Sequence, residues 1–581
     1  MEVALGKKEA DSVIKNGKLV NVITEEIYGA DVAIFGNRIA AVGDVEHCIG
    51  DRTTIIDANG KYLVPGLIDG HVHPDNTQLS PNKFASAVLP RGTTSVIGGY
   101  CEIATVSGLK AIRVMLDEIK NTHLKIFLTI PSHIPYIPWA DTVGAEISVK
   151  EIEEAMKWKE TIGIQETMIQ SVLSLDADVL NAIDLILRNR FAAHGHAPFA
   201  KGKELSAYLI TGVRSDHESF SADEVLEKAR QGVHVTIREG SVAHNLHDCI
   251  KAVTVKGINT RYISVITDDL DAEDIVELGH LDHVIRKIIK EGIEPINAIQ
   301  MVTINTAEAF KIEDRVGAIA PGRFADILIV SKLDNFKVDK VVANSELVAE
   351  NGRMLKTYKS VEYPEWLLKT FHLRTPVNPS DLCIKVEPEV EKVRVISMQV
   401  PKEIPLRFRR EAVLEVKNGI VKPNVDEDVL LISVVERYGK NGNKATAFIS
   451  GFGLKKGAIA SSVAHDSHNI VALGTNPEDM ATAVNYIAEK NGGMIAVVDR
   501  RVVHFIPLPI GGLMTDKNAE ELTSELKKMN SIVHGLGCPI DRPFMFLMFI
   551  PLAGIPEYAI TDRGLVDTVN QRFISPIIER L

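Results

Sequence analysis

Apolar residues recur in three different rhythms along this 581-residue chain. In the first sixty residues, DSVIKNGKLV, ADVAIFGNRIAAVG and TTIIDANGKYLVPG are short β-branched runs broken by turns. Asn16-Gly17 and Asn59-Gly60 suit tight turns because both residue types tolerate positive φ. The same vocabulary returns in VGAIAPGRFADILIVSKLDNFKVDKVVANSELVAENGR, from Val316 to Arg353. Residues 1–63 and 316–360 are therefore expected to form one small discontinuous β-sandwich domain, with everything between them an insertion.

Between those pieces, over residues 64–315, β-branched runs alternate with amphipathic ones. TTSVIGGY, LKIFLTIPS, GIQETMIQSV, RFAAHGHAP, LITGVRSDHE, HVTIREGS and YISVITDD read as strands, and KWKETI, AIDLILRN, SADEVLEKARQG and DHVIRKIIKEG as helical. Alternation of this kind over roughly 250 residues predicts an α/β fold with a (β/α)8, TIM-like barrel, whose chemistry sits at the strand ends. After the polar passage EYPEWLLKTFHLRTPVNPSD, residues 376–581 mix strands such as VLLISVVERYG with helices around PEDMATAVNYIAEKN and NAEELTSELKKMNSIVHG, a C-terminal α/β domain.

Composition narrows the class. With 45% apolar residues the chain can fill several cores, and its longest apolar stretch, Phe544 to Ile550, is far short of the ~20 residues a membrane span needs. The N-terminus carries both signs of charge and no apolar segment of the secretory kind. Five scattered cysteines without a C-x-x-C pair fit reduced thiols, hence a cytoplasmic location. A net charge of -12 with no long basic run argues against nucleic acid as a partner, and no membrane partner is expected.

The polar residues at the predicted strand ends carry the chemistry. His71-Val72-His73 closes the run YLVPGLIDGHVH; on an extended strand residues i and i+2 point the same way, so both imidazoles can grip one metal ion. Further along come Glu102, Glu166, His194 and His196, His217, Glu239, Asp268 and Asp269. Taken alone, Glu166 reads as a surface glutamate. Within the ordered series His-x-His, Glu, His, His, Asp it reads as a carboxylate bridging two divalent ions, with Asp268 touching one of them and taking a proton from water.

These motifs resemble the adenine deaminase family of the amidohydrolase superfamily over nearly the whole chain. In the barrel the likeness rests on PGLIDGHVH, GIQETM, HGHAP, TGVRSDHES, TIREGS, TDD and NTAEAF followed by GAIAPGRFADILIV. In the third region it rests on GFGLKKGAIASSVAHDSHNIVALGTNPEDM and LPIGGLMTD. The resemblance implies His71, His73, Glu166, His196, His217 and Asp268 as ligands of two divalent ions, manganese or iron in preference to zinc. Glu166 takes the place of the carboxylated lysine of other superfamily members, and His196 rather than His194 matches the family's Gly-His-Ala-Pro. The activity it implies is hydrolysis of adenine to hypoxanthine and ammonia: cations lower the pKa of a bridging water, and Asp268 takes its proton and passes it to the leaving nitrogen. Glu102 or Glu239 is the candidate donor to the ring nitrogen, and Asp75, Cys101, Arg238 and Ser241 are the candidates for holding the base. The partner is then a small-molecule purine, and a homo-oligomer is compatible with the family.

Several neighbours of these motifs depart from the family. His73-Pro74-Asp75 stands for His-Ile-Glu, Gly99-Tyr100-Cys101-Glu102 for Asp-Pro-His-Glu, Met168-Ile169-Gln170-Ser171-Val172 for Met-Asn-Phe-Pro-Gly, and Pro131-Ser132-His133-Ile134-Pro135 for Pro-Ser-Cys-Val-Pro. Buried polar contacts decide between similar substrates by orders of magnitude. The alternatives are therefore a cyclic amide hydrolase of the hydantoin or dihydropyrimidine type, or a non-catalytic purine-binding paralogue. The loop Gly451 to Gly457 lacks the third-glycine spacing of a phosphate cradle. His465-Asp466-Ser467-His468 holds the residue types of a serine triad without its geometry, and is expected to serve the C-terminal domain or complete the site.

Overall fold

The computed structural model describes residues 1–581, which divide into two compact units. The first comprises residues 1–99, 115–132 and 148–361; the second comprises residues 100–114, 133–147 and 362–581. Neither unit is one continuous stretch of chain. The two segments 100–114 and 133–147, which follow the second and third barrel strands in sequence, belong to the same unit as the C-terminal region.

In the first unit, both ends of the barrel insertion meet in one sheet. Tyr62–Pro65, where the chain enters the barrel, runs antiparallel to Ile327–Lys332, where it leaves. Ser12–Asn21, Glu26–Phe35 and Arg38–Gly43 extend that sheet on one side, and Lys337–Ala343, Glu346–Glu350 and Arg353–Met354 on the other. Thr54–Asp57 adds a ninth strand beside Ser12–Asn21, so a sandwich expected from the sequence is a single hydrogen-bonded sheet. The reason lies in the long strand Ser12–Asn21, which bulges between Ile14 and Gly17 and pairs with Thr54–Asp57 along one half and Tyr62–Pro65 along the other. Gly66 marks the passage into the barrel: a Cβ there would lie 2.1 Å from Thr94 Oγ1 and 2.9 Å from Asp326 Cβ.

Eight parallel strands follow in sequential order: Leu67–Asp69, Thr93–Gly98, Lys125–Pro131, Thr161–Met168, Ala192–His196, Ser215–Asp216, His234–Arg238 and Ile263–Ile266. Most are buried on both faces, which is why they read as continuous apolar runs instead of alternating ones. A parallel bridge between Val72 and Asp268 joins the first strand's extension to the eighth's and closes the ring. Helices between strands bury a stripe, as Ala177–Arg188 does with Val179, Ala182, Ile183 and Ile186, and side chains cap them, Asp176 and Ser221 among them. KWKETI is turn and strand start, not helix; the helix there is Val149–Ala155, capped by Ser148 and Glu151. LITGVRSDHE contributes only Ser215–Asp216 as strand, because Leu209 still belongs to the helix Gly202–Leu209.

The second unit is built on a ten-stranded sheet ordered Ile420–Val421, Phe408–Lys417, Lys392–Gln399, Lys444–Ser450, Leu430–Val435, Ile470–Gly474, Ala458–Ser461, Gly493–Val498 and Arg501–Pro507, with Ile577–Arg580 also on Lys392–Gln399. Helix Pro477–Glu489 buries Met480, Ala481, Val484 and Ile487 against it. The fully buried Arg407 donates to the carbonyls of Pro405, Phe549, Leu552, Ile555 and Tyr558, and burial pushes its pKa down to about 9.

Candidate metal centre

Six of the residues singled out in the sequence converge at the strand ends of the barrel. His71 and His73 follow the first strand and are stitched to the eighth by backbone: Asp268 N–H donates to His71 O at 3.0 Å, and His73 N–H to Asp268 O at 3.3 Å. Their Nε2 atoms lie 3.1 Å apart. Glu166 sits in the fourth strand with φ +54 and Asp268 two residues past the eighth with φ +60, left-handed conformations that are costly outside glycine and concentrate at functional sites. At Glu166 this coincides with a register shift between the fourth and fifth strands, which turns the carboxylate inward.

The two oxygens of Glu166 face different imidazoles. Oε1 is 3.1 Å from His71 Nε2, 3.8 Å from His73 Nε2 and 3.6 Å from His217 Nε2, while Oε2 is 2.9 Å from His196 Nδ1. His196 ends the fifth strand and its Nδ1 is 3.3 Å from Nε2 of His217, which follows the sixth. Asp268 Oδ1 lies 3.3 Å from His71 Nε2 and 3.5 Å from His73 Nε2, and its Oδ2 3.3 Å from Arg238 Nη1. All of these groups are buried or nearly so.

Charge and proton counting decide what such a cluster can hold. His71 Nε2 faces His73 Nε2, Glu166 Oε1 and Asp268 Oδ1 within 3.3 Å, more partners than a single N–H or lone pair can serve. Burial works against every charge here, yet His217, His196 and His71 hold Glu166 well below the usual carboxylate range. Burial likewise opposes ionisation of Asp268, which His71 and Arg238 nonetheless keep far below its ordinary value. Against burial, Asp268 and Glu166 push His71 up to about 9. A surplus of buried lone pairs around two carboxylates is what divalent cations satisfy, so the donor set fits a metal centre. Asp269 joins His73 and Asp268 in a further group of closely spaced donors.

Other expected residues are placed differently. His194 is turned away: its Nδ1 is 2.7 Å from Ser215 Oγ, its ring stacks on Phe310 at 3.9 Å, and burial pushes it down to about 3. Arg238 ion-pairs with Glu218, a residue the sequence did not single out. Glu218 Oε1 is 3.6 Å from His217 Nε2 and 3.8 Å from His196 Nδ1, and burial raises its pKa. The run Asp216-His217-Glu218 in SDHE was the only signal that could have found it. Glu239 is held as a carboxylate by His244 and Lys287 despite its burial. Ser241 Oγ donates to Asp274 Oδ2 at 2.5 Å and accepts the Asp271 N–H at 2.9 Å. Asp75 is buried in the 3-10 turn Pro74–Thr77.

Cys101 and Glu102 belong to the second unit, in the first turn of helix Cys101–Ser107. Glu102 Oε2 meets His468 Nε2 at 2.5 Å and His465 Nδ1 at 3.3 Å. His468 Nδ1 accepts the Ala464 N–H at 3.2 Å, so in a neutral ring the proton sits on Nε2 and points at Glu102. Burial keeps this imidazole neutral, with its pKa pushed down to about 4.

Comparison with known proteins agrees with the geometry. Residues 62–348 match the model of the amidohydrolase family, and residues 406–572 that of the adenine deaminase C-terminal domain. The chain is 43% identical to adenine deaminase 4 of Rhizobium meliloti over 98% of its own length and 96% of the relative's. Adenine deaminase 1 of Desulfotalea psychrophila is also 43% identical, over the same shares. An adenine deaminase of Clostridium botulinum is 39% identical over 99% of this chain and 97% of its own.

Proposed function

Since the chain belongs to the adenine deaminase family, we propose that it hydrolyses adenine to hypoxanthine and ammonia. The observation that carries this reading is likeness along the whole length, C-terminal domain included, to relatives named for that activity. The amidohydrolase match implies use of a divalent metal. In our reading two ions, manganese or iron in preference to zinc, are held by His71, His73, Glu166, His196, His217 and Asp268. When bound, such ions make a water nucleophilic near neutral pH.

Asp268 is the proton acceptor. Arg238 at 3.3 Å and His71 keep it ionised and hold its oxygens, so it has a lone pair free to take a proton. It takes the proton of the attacking water and delivers it to the departing exocyclic nitrogen. Protonation of the ring nitrogen falls to Glu102 or Glu239; Glu239, held as a carboxylate by His244 and Lys287, has to take up a proton before it can give one. Asp75, Cys101, Arg238 and Ser241 are the proposed contacts to the base. A cytoplasmic location is part of this reading, supported by five cysteines that are all free thiols; no helix is long and apolar enough to cross a membrane.

Ammonia release from a panel of aminopurines, by protein expressed with manganese and assayed for metal content, tests the proposal. Turnover of adenine is the expected result. Metal-loaded protein that is silent on every aminopurine but opens a hydantoin or dihydropyrimidine overturns it.

A further inference from the structure

The histidines at the ends of the fifth and sixth barrel strands are each followed, three residues on, by a phenylalanine: Phe199 after His196 and Phe220 after His217. Phe199 is 62% exposed and Phe220 36%, and the rings stack with centroids 5.0 Å apart and planes 14° from parallel. Scattered surface aromatics are ordinary. This pair is held in place by a single carboxylate: Glu224 accepts the Phe199 N–H through Oε1 at 2.9 Å and the Phe220 N–H through Oε2 at 3.1 Å.

Glu224 is itself fixed from below. The fully buried Lys228 donates to Glu224 Oε1 at 2.8 Å, to Asp216 Oδ2 at 2.6 Å and to the Glu218 carbonyl at 2.9 Å. Asp216 Oδ1 accepts the Ala197 N–H at 2.7 Å, so one buried ammonium ties both phenylalanine-bearing loops together. Phe199 has φ +58, a conformation bulky side chains adopt only when their surroundings impose it. The protein thus keeps a strained, exposed aromatic residue three positions past a histidine of the cluster. The Arg238 guanidinium lies 5.2 Å from the Phe220 centroid and donates to Asp268, which links the pair to the cluster.

We propose that the Phe199–Phe220 pair is a stacking subsite that receives the planar ring of the substrate at the rim of the barrel. A purine as the occupant rests on the function proposed above; the platform rests on its own geometry. Every nucleobase offers a π face, and base-on-aromatic stacking is tolerant of ring substituents. Contacts made equally in the ground and transition states lower KM without raising kcat.

The test uses the metal-loaded full chain with Phe199→Ala, Phe220→Ala and Phe199→Tyr. Each alanine variant is expected to raise KM for adenine about five- to tenfold with kcat within about twofold, and Phe199→Tyr to keep the parent KM. Binding of 2-aminopurine, read by quenching of its fluorescence, is expected to weaken by the same factor in the alanine variants. Unchanged KM and unchanged 2-aminopurine affinity overturn the subsite, as does a variant whose only change is its sedimentation coefficient, which marks a subunit contact. If the parent releases no ammonia from any purine, the proposed function fails and the titration alone decides. In that case affinity lost in Phe199→Ala supports the subsite, and equal affinity, or none in the parent, overturns it.

Discussion

Two buried clusters in this molecule are made of the same residue types and are chemically opposite. Around Glu166 and Asp268, imidazole nitrogens face one another and share the same carboxylate oxygens. Around Glu102, both nitrogens of His468 are committed, Nδ1 to the Ala464 N–H and Nε2 to the carboxylate. In the first, His71 Nε2 has three polar neighbours to serve; in the second, each nitrogen of His468 has one, and His465 Nδ1 reaches the same Glu102 oxygen from 3.3 Å. Spacing alone qualifies both as metal-binding groups. Proton accounting separates a cation site from a hydrogen-bonded pair.

Metal stoichiometry tests that distinction most severely. Replacing His71 and His73 together with Ala is expected to strip the bound metal and reduce activity to background, whereas His468→Ala is expected to leave metal content unchanged. A metal lost from the His468→Ala protein shows that the second cluster is a cation site after all. Asp268→Asn is expected to lower kcat by about 10²–10⁴-fold, the range for a general base, and steady-state rates in manganese check it. Glu102→Gln should cost about 10²-fold in kcat at unchanged metal content if Glu102 supplies the ring proton, with Glu239→Gln nearly silent. The reverse order assigns the proton to Glu239.

The smallest effect is one of pH. His468 titrates near 6.5 when unfolded and near 4 when folded, so as pH falls through 6.5 the unfolded state takes up the proton first. Its contribution to stability is complete above pH 6.5 and is lost as the pH falls toward 4, about 3 kcal/mol in all. Urea unfolding at several pH values should show a shallower acid loss in His468→Gln than in the parent. Equal slopes contradict a neutral, buried His468.

The strands of the barrel were legible because each is an apolar run ended by a polar residue, as in RFAAHGHAP and YISVITDD. The ordered series of histidines and acids was legible because strand order and sequence order coincide in this barrel. Strand alternation puts His194 and His196 on the same side; which of them joins the cluster depends on a register shift between Ala193 and Gly195 and on Phe310, more than a hundred residues away, which stacks on His194. Glu218 was hidden because its partner Arg238 comes from the next strand. The pairing of Glu102 with His468 spans 366 positions, a separation no local pattern reports. KWKETI misled because charged residues with apolar neighbours look amphipathic, while the actual helix start is marked by the Ser148 and Glu151 capping pair just upstream.

The discontinuity of the second unit has a consequence in time. Thr142 gives Asp562 two hydrogen bonds, one from its backbone N–H at 3.0 Å and one from its hydroxyl at 2.7 Å, across 420 positions of chain. A ribosome adding 5–20 residues per second needs roughly 20 to 80 s to travel that distance. For that interval Thr142 has been synthesised and the carboxylate that takes both its hydrogen bonds has not.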